Sequence, residues 1–336
     1  MSWEQARADD LSWTPPTYTV DRDGRVIGAV CEHEPNNWGR WGALDERGTT
    51  NFITPEHVAA AGKLIEHGRT FSLALPIAAT GPTHPLRPPV IHRFAYAGTD
   101  FLGTSALAQE KPGYQGTDDM ITMPLQGSTQ WDGLGHAGFR DTFYNGFWIG
   151  TSEAFSGNRR LGIEHLRETL VGRGVLLDLA RFAGVDRLPP GHAIGPDELD
   201  ACAAAQGVEV RSGDLLLLRT GHVEWFYELE DKAPFFAGAP GVGAEAVEWI
   251  HRHEIAALCV DNVAVEVEPF QPGVEAPYPL HVRLIRDLGL LLGELWWLAD
   301  LAADCAADGT YEFFLSAPPL HVPNGSGSPL NPMAIK

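Results

Sequence analysis

Basic side chains are scarce in this sequence: 24 lysines and arginines stand against 44 acidic residues, a formal net charge of -20. Such a surface repels a phosphate backbone and offers an anionic membrane nothing to attract, so neither nucleic acid nor a membrane is an expected partner. Cysteine is scarce too. Cys31, Cys202, Cys259 and Cys305 are dispersed, show no C-x-x-C spacing and sit in apolar or helical contexts, which fits buried thiols in a reducing, cytoplasmic setting. The longest apolar stretch, LGLLLGELWWLADLAA at 288–303, is interrupted by Glu294 and two aspartates and is no membrane span. The acidic start MSWEQARADD lacks the basic-then-apolar pattern of a secretion leader, so none is expected. There is no G-x-S-x-G, and the G-x-G-x-x-A at 241–246 follows no convincing strand, so neither a serine-nucleophile elbow nor a dinucleotide fingerprint is expected.

What is present is enough for a large core: 336 residues, 44% hydrophobic and 10% aromatic. No internal repeat or low-complexity linker divides the chain, and Pro/Gly-rich stretches at 80–89, 189–196 and 269–279 read as loops. Residues 1–68 read as an N-terminal arm and capping helix, with Thr54 as N-cap, Pro55 at the first helical position and Gly68 as stop. Residues 69–336 read as the catalytic α/β region of one continuous domain. Short strands are expected at 69–76, 90–96 and 119–125. Continuous apolar runs at 174–180, 214–219 and 254–260 suit strands buried on both faces. Helices near 162–170, 196–206, 221–229 and 243–253 separate them, which predicts a mixed central sheet.

The chemistry concentrates in MPLQGSTQWDGLGH, 123–136. If 119–132 is one strand, Gln126, Ser128, Gln130 and Asp132 project to one face, and Gly133 and Gly135 permit a turn that brings His136 back over the row. A carboxylate, amide oxygens and an imidazole would then reach one cation or one water. Spacing alone leaves a second reading open, a polar strand edge with its amides bonded to backbone. Further on, Tyr278-Pro279 breaks any earlier element, placing His281 at the first turn of a short helix ending near Gly289. Glu294 follows on a strand, LLLGELWW. A carboxylate there needs a metal, a basic partner or a proton.

The stretch Q-G-S-T-Q-W-D-G-L-G-H resembles the signature of the metal-dependent cyclase family that includes bacterial kynurenine formamidase and isatin hydrolase, His-x-Gly-Thr-His-x-Asp-x-x-x-His. Thr129, Asp132 and His136 match, while Gln126 and Gln130 stand where better-known members have histidines. NWGRWGALDERGTTNFITPEHV (37–58) is similar to the N-terminal segment of longer members, and LHVRLIRDLGLLLGE (280–294) to the family's distal His-helix-Gly-strand-Glu element, so the resemblance spans roughly 37–300. It implies a swivelling β/β/α-type single domain with a mixed central sheet. It also implies a divalent metal, and hydrolysis of an amide (formamide, lactam or cyclic imide) or lactone bond in a small aromatic or cyclic substrate.

Carried over position by position, the resemblance makes Gln126, Gln130, Asp132, His281 and Glu294 ligand candidates and His136 the acid/base, with Asp132 sharing the catalytic site. Glutamine oxygen binds zinc more weakly than imidazole, so Mn²⁺ becomes a candidate beside Zn²⁺, as one ion or two. Trp38, Trp41 and Trp131 are expected to touch the substrate. Assembly as a homodimer or homotetramer is implied by similar enzymes, with the Trp38–Trp41 loop reaching a neighbouring site. Two alternatives stay open: a metal-dependent lyase or cyclase, and a small-molecule binder that has lost its metal with the motif histidines.

Overall fold

Apolar runs without polar alternation form the middle of a nine-stranded mixed sheet. The strands used below are β1 (Thr70–Ser72), β2 (Ile91–Tyr96), β3 (Asp118–Thr122), β4 (Gln130–Asp132), β5 (Val171–Asp178), β6 (Leu215–Arg219), β7 (Ala257–Val260), β8 (Leu291–Glu294), β9 (Glu312–Ser316), β10 (Gly327–Pro329) and β11 (Met333–Ile335). In the large sheet they lie in the order β1-β11-β9-β5-β6-β7-β8-β4-β10. The four central strands β5, β6, β7 and β8 run parallel, and antiparallel strands flank them on both sides. The structure is a computed structural model and describes residues 17–271 and 276–336; the acidic start at 1–16 and part of the 269–279 loop lie outside these. Among the described residues no helix is long and apolar enough to cross a membrane.

Thr54 caps the helix Pro55–Ala61 by accepting from His57 N, with Pro55 at its start. The helix tightens to a 3₁₀ turn and ends at Leu64, ahead of Gly68. Asn37 Nδ2 donates to Leu288 O at 2.8 Å and Thr49 Oγ1 to Ala256 O at 2.8 Å, tying this arm to the body. The helix expected near 162–170 is only a 3₁₀ turn at Ile163–Leu166, because Leu170 at φ 60 turns the chain into β5.

The single strand expected over 119–132 is two strands. β3 pairs only with β2, as a separate ribbon, and β4 belongs to the large sheet. Pro124 offers no ladder donor, and Gly127 sits so tightly that a Cβ would meet Pro124 O at 2.9 Å, so 123–129 is a turn. Ser128 therefore does not join a four-residue polar face.

A second, smaller core gathers Val223, Phe226, Phe235, Val263 and Leu295. His222 lies against it, fully buried, its ring stacked on Phe235 at 4.5 Å and its Nδ1 without a partner. Burial pushes its pKa down to about 4. The unfolded chain binds this proton below its ordinary pKa of about 6.5 while the folded chain refuses it, so stability falls as pH drops from about 6.5 toward 4. His222→Phe keeps the stack and removes the titration. Urea denaturation at pH 7 and pH 4.5 should show the acid loss reduced by about 2 to 3 kcal/mol in this variant. An unchanged acid loss would assign the sensitivity elsewhere.

Candidate active site

β4 is three residues long and sits between β8 and β10, with Gln130 opposite Glu294 and Asp132 opposite Leu292. Alternation puts Gln130, Asp132 and Glu294 on one face and Trp131 on the other. Trp131 packs edge-on to Trp296 at 5.0 Å, in space that exists only because position 293 is glycine: a Cβ there would meet Trp131 at 3.0 Å. After β4, His136 N donates to Gly133 O at 3.0 Å, closing the turn that returns the imidazole over Asp132. Gly135 is required in that turn, since a Cβ would meet the Asn158 amide at 2.3 Å. The motif threonine is a tie: Thr129 Oγ1 donates to Leu295 O at 2.5 Å and accepts from Leu75 N at 2.8 Å.

His281 arrives from the short helix Pro279–His281, which widens into a π-helical turn over Val282–Asp287 before Gly289 and β8. Its Nδ1 lies 2.6 Å from Glu266 Oε1, and the same carboxylate accepts from Leu280 N at 3.0 Å and His281 N at 3.3 Å. With Nδ1 committed to Glu266, Nε2 faces Asp132 Oδ2 at 3.9 Å and Glu294 Oε1 at 3.6 Å. That is the arrangement by which a carboxylate orients a metal-ligating histidine. The turn before Glu266 is strained: Ala264 has φ 80 and Val265 φ 59, the latter an outlier for a β-branched residue. Asn262 clasps it, accepting from Val265 N at 3.1 Å and donating to Pro240 O at 2.7 Å.

Gln130 Nε2 donates to Asp132 Oδ1 at 3.2 Å and Glu294 Oε2 at 3.0 Å, cross-linking the two carboxylates. His136 Nε2 is 3.8 Å from Asp132 Oδ1. Gln126 stands differently from the ligand role its motif position implies. Its amide lies 3.4 Å from His136 Nδ1 and 3.1 Å from Ser326 Oγ, behind the imidazole. The structure thus brings Gln130, Asp132, His136, His281 and Glu294 together and leaves Gln126 one layer out.

Electrostatics match a site built for positive charge. Burial, then repulsion from Glu294, raises the Asp132 carboxyl well above the usual carboxylate range. Glu294 is held below that range because His281 overcomes the effect of burial. Burial pulls His281 down, but Glu266 and Glu294 outweigh it and push its imidazole up to about 10. His136 is pushed down to about 4, by burial first and the His281 charge second, and stays neutral. Asp132 Oδ2 and Gln130 Oε1 are buried without a hydrogen-bond partner. Two orphaned acceptors beside clustered carboxylates are satisfied by a cation, and donor atoms of Asp132, His136 and His281 all lie within 4.8 Å of one another. The residues therefore fit a divalent ion.

A cavity of about 250 Å³ opens on the cluster, walled by Val263, Ala264, Tyr278, Glu268 and Arg87. It lies at the carboxyl ends of the parallel strands, where α/β sheets place ligands. A larger cavity of about 430 Å³ lies on the other side of Glu266 and Leu280, but none of Asp132, His136 and Glu294 lines it. The expected aromatic contacts are elsewhere in the chain. Trp131 is fully buried with Nε1 donating to Ala317 O at 2.7 Å; Trp38 donates to Arg286 O at 2.7 Å beneath the Arg286 guanidinium; Trp41 packs on Phe52 at 5.0 Å. None of the three lines the cavity.

Sequence reasoning missed Glu266, Glu268 and Arg87. The first two carried a signal, carboxylates alternating with valines in VAVEVEP at 263–269, the period of a strand with one polar face. Arg87, in a proline-rich loop, carried none. Asp261 is structural: its carboxylate accepts from Thr220 N, Thr220 Oγ1 and Gly221 N.

The Cyclase family profile matches residues 71–267. The crystal structure of a novel cyclase shares 44% identity, with a TM-score of 0.84 over 90% of this chain and 99% of that one. Isatin hydrolase A from Ralstonia solanacearum is 20% identical, with a TM-score of 0.56 over 84% of this chain and 98% of its own. Isatin hydrolase A from Labrenzia aggregata, solved with benzyl benzoate, is 18% identical, with a TM-score of 0.54 over 79% of this chain and 93% of its own. No curated relative matches the chain. The two isatin hydrolases share the fold.

Proposed function

The chain belongs to the Cyclase family, and from that premise we propose that it is a metal-dependent hydrolase acting on the amide or lactone bond of a small cyclic substrate. The observation that carries this reading is the pair of orphaned buried acceptors, Asp132 Oδ2 and Gln130 Oε1, in a cluster whose donor atoms converge within 4.8 Å. Asp132 and His281 would hold the ion, Mn²⁺ or Zn²⁺, with Glu294 and Gln130 beside them. Bound there, a divalent cation supplies Lewis acidity to a carbonyl and acidity to a water.

The protein's own groups divide the remaining work. Glu266 fixes the His281 tautomer and aims Nε2 inward. Gln130 spans Asp132 and Glu294 and holds the two carboxylates in register. Of the two imidazoles in the cluster His136 is the more exposed, its side chain 26% against 8% for His281, and it lines the cavity. Neutral at pH 7, its imidazole is able to accept a proton and return it to the leaving nitrogen or oxygen. Gln126, itself bonded to Ser326 Oγ, positions it from behind. The same reading includes assembly of identical chains, supported by exposed Phe94, Met120 and Ile121 on the β2–β3 ribbon.

Cyclic imides, lactams, lactones and N-formyl aromatic amines, assayed with Mn²⁺ or Zn²⁺ and product mass as readout, test the reaction: hydrolysis adds one water, whereas a lyase product does not. His136→Ala should lose turnover while binding the ion with unchanged stoichiometry. Full activity, or loss of the ion along with activity, would remove the proton-carrying role.

A further inference from the structure

Arg87 is the only arginine or lysine among the described residues that line the cavity. A tight turn presents it: Arg87 N donates to His84 O at 2.8 Å and Leu86 N to His84 Nδ1 at 3.2 Å. Its Nη1 donates to Gln126 O at 2.5 Å, anchoring the guanidinium to the motif turn. Among the described residues no carboxylate forms an ion pair with it. Four arginines elsewhere, Arg286 buried and three half-buried, are by contrast each clamped by two carboxylates. Arg160 lies between Asp23 and Glu46, Arg173 between Asp214 and Glu312, Arg219 between Asp178 and Glu224, and Arg286 between Glu32 and Asp287.

A half-buried guanidinium with open donors, in a chain this acidic, is a place for an anion to bind. The chain's net charge of -20 would otherwise keep anions away. The cavity is small, about 250 Å³, and Val263, Ala264 and Tyr278 give it an apolar wall. One guanidinium brings a single positive charge, and with Glu294 and Glu268 lining the same cavity a singly charged carboxylate suits it better than a doubly charged phosphate.

We infer that the ligand of this cavity is a small apolar or cyclic molecule bearing a carboxylate distinct from the bond that is cut, and that Arg87 binds that carboxylate. As a statement about the substrate, this rests on the hydrolase reading; as a statement about binding, it does not.

The experiment compares wild-type protein with Arg87→Gln and Arg87→Lys, all loaded with Mn²⁺, in two arms. Calorimetry measures benzoate against benzamide. The wild type should prefer benzoate by about 30-fold, Arg87→Gln should bring the ratio near one, and Arg87→Lys should keep part of it. Kinetics compare 5-oxotetrahydrofuran-2-carboxylate with unsubstituted γ-butyrolactone. Arg87→Gln should lose about 30-fold more kcat/KM on the first than on the second, chiefly through KM. Equal losses on both lactones, or a benzoate preference that survives Arg87→Gln, would overturn the inference. If the wild type hydrolyses neither lactone, those substrates do not support the hydrolase reading, and the benzoate ratio alone decides the role of Arg87.

Discussion

Asp132→Asn should strip the protein of its metal and lower turnover by at least about 10³-fold, while leaving the metal-free protein as stable as the wild type or about 1 to 2 kcal/mol more stable. The two signs have one cause. Asp132 is fully buried, and its carboxylate is opposed first by burial and then by Glu294 on the adjoining strand. Without a metal ion His281 offsets that charge only in part, and a neutral amide of the same shape relieves the remainder while still accepting from Gln130. With a cation the same charge is the principal ligand. Denaturation of chelator-treated wild type and variant, set beside their metal content after dialysis against Mn²⁺ or Zn²⁺, reads both effects. A variant that keeps its metal, or whose stripped form is several kcal/mol less stable, would contradict this view of Asp132.

Glu266→Ala should be the most destabilising change around the site, by about 3 to 5 kcal/mol, because one buried carboxylate serves three donors. Leu280 N, His281 N and His281 Nδ1 would all lose their acceptor at buried positions. Metal affinity should fall about 10- to 100-fold as well, since nothing would then fix the His281 ring. Glu266→Gln separates the effects: its amide oxygen still accepts one bond, so stability should recover in part while metal affinity remains reduced. A Glu266→Ala protein within 1 kcal/mol of wild type in urea denaturation, with metal binding intact, would show that His281 is oriented by something else.

The parallel strands were legible because burial on both faces leaves an unbroken apolar run, as in LLLL of β6 and ALCV of β7. The turn over Gly133 and Gly135 and the helix-strand path from His281 to Glu294 were legible because glycine and proline mark chain reversals with little ambiguity. Strand partnership was not. Placing β4 between β8 and β10 depends on contacts between residues more than 150 positions apart, and only that pairing sets Gln130 opposite Glu294. Polar alternation through Gln126 and Ser128 looked like a continued strand, and Pro124 with Gly127 decided otherwise. The tryptophans misled for a related reason: a bulky indole suits a core or a cation stack as well as a cavity wall, and Trp131 and Trp38 took those places. Glu266 went unread because its purpose appears only when His281, 15 residues later, folds back onto it.

Hydrolysis at this site requires a divalent ion between Asp132 and His281. Anomalous scattering from a crystal soaked in Mn²⁺, collected either side of the manganese edge, should show a peak bonded to Asp132 and His281 beside Glu294, and the same soak of Asp132→Asn should show none. An empty cluster in the wild type, or a peak elsewhere, would contradict the account.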